Sequence, residues 1–236
     1  MRLLVIGGSG NVARLITPIL SQTHTLRIFD LRPPADTSLE FQEGNVGDPA
    51  SLARAVEGMD ALLYMAMGNH DWDTAEGVAS GFDVNIKGLY FALRAAHSAG
   101  ISHAVYTSSM SVYADVYHRY VPNEEVPADD FHFYGLTKRL GEEVCRAAVA
   151  EYSMTVNALR LCLPISTEKW LKDTRLGVPT IATTETDVAR AVLSALERRF
   201  DGFEAFAISG DYEQKRMGLE KAKRLLDWEP LARPNH

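Results

Sequence analysis

Tyr134 and Lys138 stand four positions apart in the stretch 134-YGLTKRLGEEVC-145, where apolar residues recur at helical spacing. Residues i and i+4 share a helix face and are side-chain neighbours. A phenol is a poor base at neutral pH, because its ordinary pKa is about 10. A cation beside it stabilises the phenolate and brings that value down. Such a pair can exchange a proton with a hydroxyl whose carbon loses or gains a hydride. Tyr-x-x-x-Lys also arises on ordinary helix surfaces, so the rest of the chain decides whether the pair is chemical.

A second feature lies at the other end of the chain. The stretch 7-GGSGNVA-13 follows the strand-like run RLLVI and opens a helical pattern. Gly7 and Gly10 allow a tight turn and let backbone N–H groups approach a pyrophosphate at a helix N-terminus. Ala13 takes the place of the usual third glycine and is small enough for close helix–strand packing. About 20 residues on, the second apolar run ends in Asp30, whose carboxylate can accept hydrogen bonds from the ribose hydroxyls of NAD. Arg32 lies two residues away and could serve the 2′-phosphate of NADP. NAD is the favoured cofactor on this reading, with NADP the alternative.

These motifs need a scaffold, and the chain alternates in the way that supplies one. Strand-like runs occur at 2–6, 25–30, 61–66, 103–109, 155–161 and 203–209. Helical patterns occupy 11–22, 50–58, 83–100, 134–152 and 184–199. Asp48 or Ser51 can cap the second helix, Gly100 can end the third, and Thr184 can cap the last. Alternation of this kind predicts an α/β fold, a Rossmann-type doubly wound parallel sheet. We expect a dinucleotide-binding core over 1–164. Residues 165–236 should form a short C-terminal substrate lobe that includes the closing helix and strand of the core. Two irregular stretches, 111–133 and 164–180, follow strands and are candidate substrate walls.

Composition narrows the function class. The 236 residues are 46% hydrophobic and 23% charged, with a formal charge of −7. An acidic chain without a basic cluster argues against nucleic acid as a partner. Cys145 and Cys162 form no CxxC pair and read as buried free thiols. The seven histidines show no metal-ligand spacing, so no metal is expected. No apolar run reaches the roughly 20 residues of a spanning helix. The chain opens directly on a strand-like run, and the expectation is a cytoplasmic protein that does not engage a membrane.

Taken together, the motifs resemble the short-chain dehydrogenase/reductase superfamily, and within it the extended NAD-dependent epimerase/dehydratase family. The resemblance rests on GGSGNVA at 7–13, Asp30, GNVGD at 44–48, Asn85 in DVNIKG, TSSMSVY at 107–113 and YGLTK at 134–138. The tail KAKRLLDWEP at 221–230 is also similar to the family's closing segment. The resemblance implies a catalytic triad of Ser109, Tyr134 and Lys138. Ser109 is preferred to Ser108, which points to the other face of a strand. Ser109 would hold the substrate oxygen where charge develops. The resemblance further implies cofactor contacts at Gly7, Gly10, Asn11 and Val12, at Asp30, Leu31 and Arg32, and at Asn45 and Val46. Met65, Ala66, Met67 and Cys162 extend that set, and Tyr134 and Lys138 would reach the nicotinamide ribose. Asn85 belongs to the same set and would support the active-site helix.

The chain also departs from the family pattern. Met110 and Ser111 stand where sugar-nucleotide dehydratases carry acids, which argues against water elimination. Leu163 precedes Pro164 where epimerases often carry asparagine. The lobe is short, and the layout is similar to that of uronate dehydrogenases. The expected activity is hydride transfer between NAD and a hydroxyl or keto carbon of a sugar-like substrate, a sugar acid among the options. A C4-type epimerase with bound NAD and a non-catalytic cofactor-binding sensor are the rivals. Arg119, Lys169, Lys172 and Arg175 are candidate carboxylate clamps, and His70, Asp71 and Trp72 are candidate pocket residues. A homodimer is expected through the helices at 83–99 and 134–150, with Leu89, Leu93 and Val144 serving that contact or the core.

Overall fold

After Arg2 the first strand is apolar without a break, which suits a strand covered on both faces. In the computed structural model Arg2–Ile6 forms β1, and its side chains divide between two cores. Leu3 and Val5 enter one core, whereas Leu4 and Ile6 enter the other, as the two-residue period of a strand requires. The structure describes residues 1–175 and 180–233. The side chain of Arg175, one of the candidate clamps, lies outside the described residues.

The remaining strands of the main sheet are β2 (Thr25–Asp30), β3 (Glu40–Glu43), β4 (Ala61–Tyr64), β5 (His103–Ser109), β6 (Thr155–Leu161) and β9 (Phe203–Ile208). Their order is β3-β2-β1-β4-β5-β6-β9, and every pairing is parallel. The order reverses between β1 and β4, which opens a crevice at the carboxyl ends of the strands. A separate two-stranded pair joins β7 (Pro164–Ile165) to β8 (Thr183–Thr184).

Two helices, α1 (Asn11–Leu20) and α7 (Glu185–Glu197), pack together on one face of the sheet. On the other face lie α2 (Pro49–Ala55), α4 (Leu89–Ser98) and α5 (Phe133–Tyr152). Asp48 caps α2, its carboxylate accepting from the Ala50 N–H at 3.0 Å, whereas Ser51 is buried inside the helix. Thr184 caps α7 by accepting from the Asp187 N–H.

The structure departs from the alternation read in the sequence at four places. The fourth strand stops at Tyr64 rather than 66, although the Met65 N–H still donates to the Ile6 carbonyl. Strand β3 has no counterpart in the sequence pattern because EFQE lacks the apolar character of an inner strand; it is the sheet edge. The expected single helix over 83–100 begins as a π-helical turn at Asp83–Gly88, preceded by a further helix α3 (Ala75–Phe82). The stretch 164–180, read as irregular, contains α6 (Thr167–Arg175) and part of the small β pair. Leu89 and Leu93 are wholly inside the core, whereas Val144 is half-buried.

Candidate active site

The end of β5 builds one wall of the crevice, and successive residues there point to different partners. Thr107 donates its hydroxyl to the Tyr64 carbonyl at 3.1 Å. Ser108 donates to the buried carboxylate of Glu142 at 2.7 Å. Ser109 accepts from the Ser111 N–H at 3.0 Å. The Ser108 hydroxyl is thus committed to Glu142.

Helix α5 forms the facing wall. Its approach depends on Gly135, where a Cβ would lie 2.2 Å from the Ser111 carbonyl oxygen. Any side chain there would push the helix off the strand end. Tyr134 and Lys138 sit in the first two turns of this helix. The Lys138 ammonium donates to the Thr107 carbonyl at 2.8 Å. It also lies over the Tyr106 and Tyr134 rings, 5.2 and 5.9 Å from their centroids. Burial disfavours this charge and lowers Lys138 to about 8, with Glu142 one turn on among the groups that oppose the fall. Burial raises the Tyr134 phenol above its ordinary value, and the Ser109 hydroxyl facing it works the other way.

These three side chains line a cavity of about 190 Å³. Val12, Met65, Met67 and Cys162 line the same cavity, so four of the expected cofactor contacts meet the three chemical groups. The Cys162 thiol is buried and pushed up to about 12, which leaves it unreactive at neutral pH.

The remaining cofactor candidates sit at the glycine turn and the neighbouring strand ends. Gly7 has φ +81°, and a Cβ on it would lie 2.4 Å from the backbone of Ala66. Glycine is therefore required where β1 passes the end of β4. Gly10 is the N-cap of α1; no side chain caps this helix end and no acid stands in its first turn. Its N–H groups and dipole suit an anion. Asn11 is exposed at the helix head, where its amide oxygen accepts from Arg14. Asp30 accepts from the Ser9 N–H at 3.0 Å and from the Arg32 N–H at 3.3 Å, so it braces the glycine turn as well as heading the crevice. Leu31 and Arg32 are exposed beside it. Asn45 is exposed, its amide oxygen turned back onto the Gly47 N–H at 2.8 Å, and Val46 is buried beneath it. The open helix end, the close-passing Gly7 and the strand-end carboxylate together fit a dinucleotide.

Asn85 lies one layer behind the cavity. Its oxygen accepts from the Gly68 N–H at 3.0 Å, and its nitrogen donates to the Thr137 hydroxyl at 3.0 Å. Thr137 in turn donates to the Tyr134 carbonyl at 2.9 Å. Asn85 therefore ties the loop after β4 to α5, and the π-helical turn presents it there. Such turns are frequent at functional sites.

The loop candidates divide. Trp72 lies flat on Tyr134, with ring centroids 5.1 Å apart and planes 7° apart. His70 stacks on Trp72, whereas Asp71 is exposed. Arg119 is paired with Asp129 and Lys169 with Asp173; neither Arg119, Lys169 nor the exposed Lys172 lines the cavity. Among the described residues no cluster of His, Cys, Asp and Glu could hold a metal ion, and no helix is long and apolar enough to cross a membrane.

Comparison with known proteins places this architecture. A 3 beta-hydroxysteroid dehydrogenase/Delta 5-->4-isomerase from Mycobacterium tuberculosis is 39% identical over 120 residues, covering 47% of this chain and 32% of that protein. A uronate dehydrogenase from Pseudomonas syringae pv. tomato is 24% identical over 164 residues, covering 68% of this chain and 58% of that protein. The chain thus spans less than two thirds of either relative. A solved short-chain dehydrogenase/reductase superfamily protein from Agrobacterium tumefaciens, with bound NAD, shares the fold. Its TM-score is 0.84 at 22% identity, over 99% of this chain and 93% of that one. Residues 3–201 match the model of the NAD dependent epimerase/dehydratase family, and the chain belongs to that family.

Proposed function

We propose that the chain is an NAD-dependent oxidoreductase. It would move a hydride between the nicotinamide and a hydroxyl-bearing carbon of a small, sugar-like substrate. The observation that carries this reading is the meeting of Ser109, Tyr134 and Lys138 on one cavity. When bound, the nicotinamide supplies the hydride acceptor or donor. In oxidation Tyr134, as phenolate, takes the proton from the substrate hydroxyl; in reduction its phenol returns that proton to the carbonyl oxygen. Ser109 donates a hydrogen bond to the same oxygen. Lys138 carries the positive charge that favours the phenolate, held in place by the Thr107 carbonyl.

Gly7, Gly10 and the uncapped head of α1 would hold the pyrophosphate, with Val12, Met65, Met67 and Cys162 beside the nicotinamide. NAD is preferred to NADP on the ground that Asp30 ends the second strand, where a carboxylate would repel a 2′-phosphate. The sugar-like substrate is supported by the uronate dehydrogenase relative. Residues 1–164 would serve as the dinucleotide core and 165–236 as the short lobe. We also infer a homodimer through α4 and α5, supported by the exposed Leu140 and half-buried Val144.

Titration with NAD and NADP separately, read as melting temperature, tests the cofactor. A rise with NAD alone is the expected result, and a larger rise with NADP would overturn the preference. Formation of reduced nicotinamide with a panel of uronates and neutral sugars then tests the reaction. Tyr134→Phe should keep the NAD-induced rise and lose turnover; surviving turnover would remove the triad assignment.

A further inference from the structure

Trp72 stands apart from the other tryptophans. Trp170 and Trp228 are fully buried in the fold and donate to the Ala182 and Asp187 carbonyls. Trp72 is half-buried on a loop, and its buried indole N–H has no acceptor among the described residues. Its ring instead stacks on both His70 and Tyr134. The indole is nearly parallel to the Tyr134 phenol, and Phe133 meets it at an angle on the same helix, 6.1 Å away.

The loop that carries the indole is itself fixed at several points. The Gly68 N–H donates to Asn85, the Asn69 N–H donates to the Ser80 hydroxyl, and the Thr74 hydroxyl donates to the Asp71 carbonyl. A Cβ on Gly77 would lie 1.8 Å from that same carbonyl, so α3 passes the loop in close contact. A braced loop pressing a flat ring on a phenol restricts the rotation of that phenol. It also keeps water from the covered face.

We propose that Trp72 is a positioning residue for Tyr134: its indole holds the phenol in the orientation that faces Ser109 and shields it from water. This rests on the reading of Tyr134 as the proton-transferring group. Its consequence is that water is kept from the oxygen through which Tyr134 exchanges its proton. Tyr117 and Cys162 line the same cavity as the phenol, and the other charged and titratable groups around it are few. Lys138 and Glu142 follow on its own helix, Asp130 lies at the head of that helix, and Tyr106 and Ser109 face it from β5. His70, Asp71 and Asp73 belong to the indole's loop. Removing the indole changes none of these charges, so a shifted phenol would report lost shielding.

The test uses the full chain, saturated with NAD, with its tyrosines replaced by 3-fluorotyrosine, which ionises at lower pH than tyrosine. Fluorine NMR resolves the ring resonances, and the one missing from Tyr134→Phe belongs to Tyr134. Its titration midpoint is then read in wild type, Trp72→Phe, Trp72→Leu and Trp72→Ala. We expect Trp72→Ala and Trp72→Leu to lower the midpoint by about one pH unit, because water reaches the phenolate. Trp72→Phe keeps a ring on the phenol and should stay close to wild type. Unchanged resonances of the other tyrosines certify the fold, and Trp72→Leu, too small to cover the face of the phenol, serves if the alanine variant does not fold. An unmoved midpoint in Trp72→Leu overturns the proposal. Failure of the underlying functional reading would instead show as hydride transfer surviving in Tyr134→Phe.

Discussion

Arg160 holds Glu142 with a two-armed contact, Nε to Oε1 at 2.9 Å and Nη2 to Oε2 at 2.7 Å, and both side chains are almost wholly buried. Ser108 adds a third donor to the carboxylate, and the guanidinium also donates to the Tyr113 hydroxyl. The pair thus joins β5, β6, α5 and the start of the 111–133 wall. Removing one member leaves an uncompensated buried charge, which costs about 3–5 kcal/mol. Glu142→Met and Arg160→Met should each lower the unfolding free energy by that order, read by denaturant titration. The double variant should lose less than the sum. Strict additivity would show that the two charges are not coupled.

Lys138 makes stability depend on pH. Burial lowers it from 10.5 to about 8, so between those values the unfolded chain binds more protons than the folded one. Stability from this group therefore rises as pH rises through that window. Burial raises Tyr64 and Cys145, which act in the opposite direction, so the Lys138 share must be isolated. Relative to Lys138→Met, unliganded wild type should gain on the order of 3 kcal/mol between pH 7 and 10.5. A difference that stays flat with pH would mean that the ammonium is hydrated.

His103 acts at the acid end. It is buried, contacting the Thr155 hydroxyl at 2.7 Å and the Ala195 carbonyl at 2.8 Å. Burial lowers its pKa below the ordinary 6.5, and the nearby Arg199 charge adds to the fall. The folded state keeps the ring neutral while the unfolded chain protonates it. Stability contributed by His103 is present above pH 6.5 and is lost as pH falls below it. In His103→Gln the melting temperature should fall less steeply between pH 6.5 and 5 than in wild type. Equal slopes would exclude His103 as a source of acid sensitivity.

Asn85 offers a test of the bridge behind the site. Asn85→Ala leaves the Gly68 N–H without its acceptor, a loss of about 1–3 kcal/mol. The melting temperature should drop accordingly while the NAD-induced rise survives, because Asn85 touches the loop and the helix rather than the cavity. Loss of the NAD-induced rise would place it in direct contact with the cofactor.

Much of this site was legible in the chain. The apolar run of β1, the glycine turn and the Tyr134–Lys138 spacing each report a local constraint, so local reading finds them. Val12, Met65, Met67 and Cys162 follow from the family resemblance, and the cavity gathers them with Ser109, Tyr134 and Lys138. What stayed hidden depends on tertiary contact. The Glu142–Arg160 pair joins residues 18 apart in the chain on different elements. Gly135 looks like an ordinary helix residue until α5 is set against Ser111. Trp72 was visible as a candidate, but its plane-to-plane contact with Tyr134 has no signature in spacing. Strand β3 is not legible because a short edge strand with one apolar residue, Phe41, carries no core pattern.

The position of α7 in the chain bears on how the protein is made. Val188, Val192 and Leu196 of α7 share a core with Ile16 and Leu20 of α1. Six strands of the sheet are complete by Leu161, but α7 begins only at Glu185. During synthesis the growing chain can therefore assemble most of the sheet while one of its apolar faces still lacks half its cover. Exposed surface of that kind draws partly folded chains together. The interval between emergence of β6 and of α7 from the ribosome is thus the stage at which this face of the sheet is least covered.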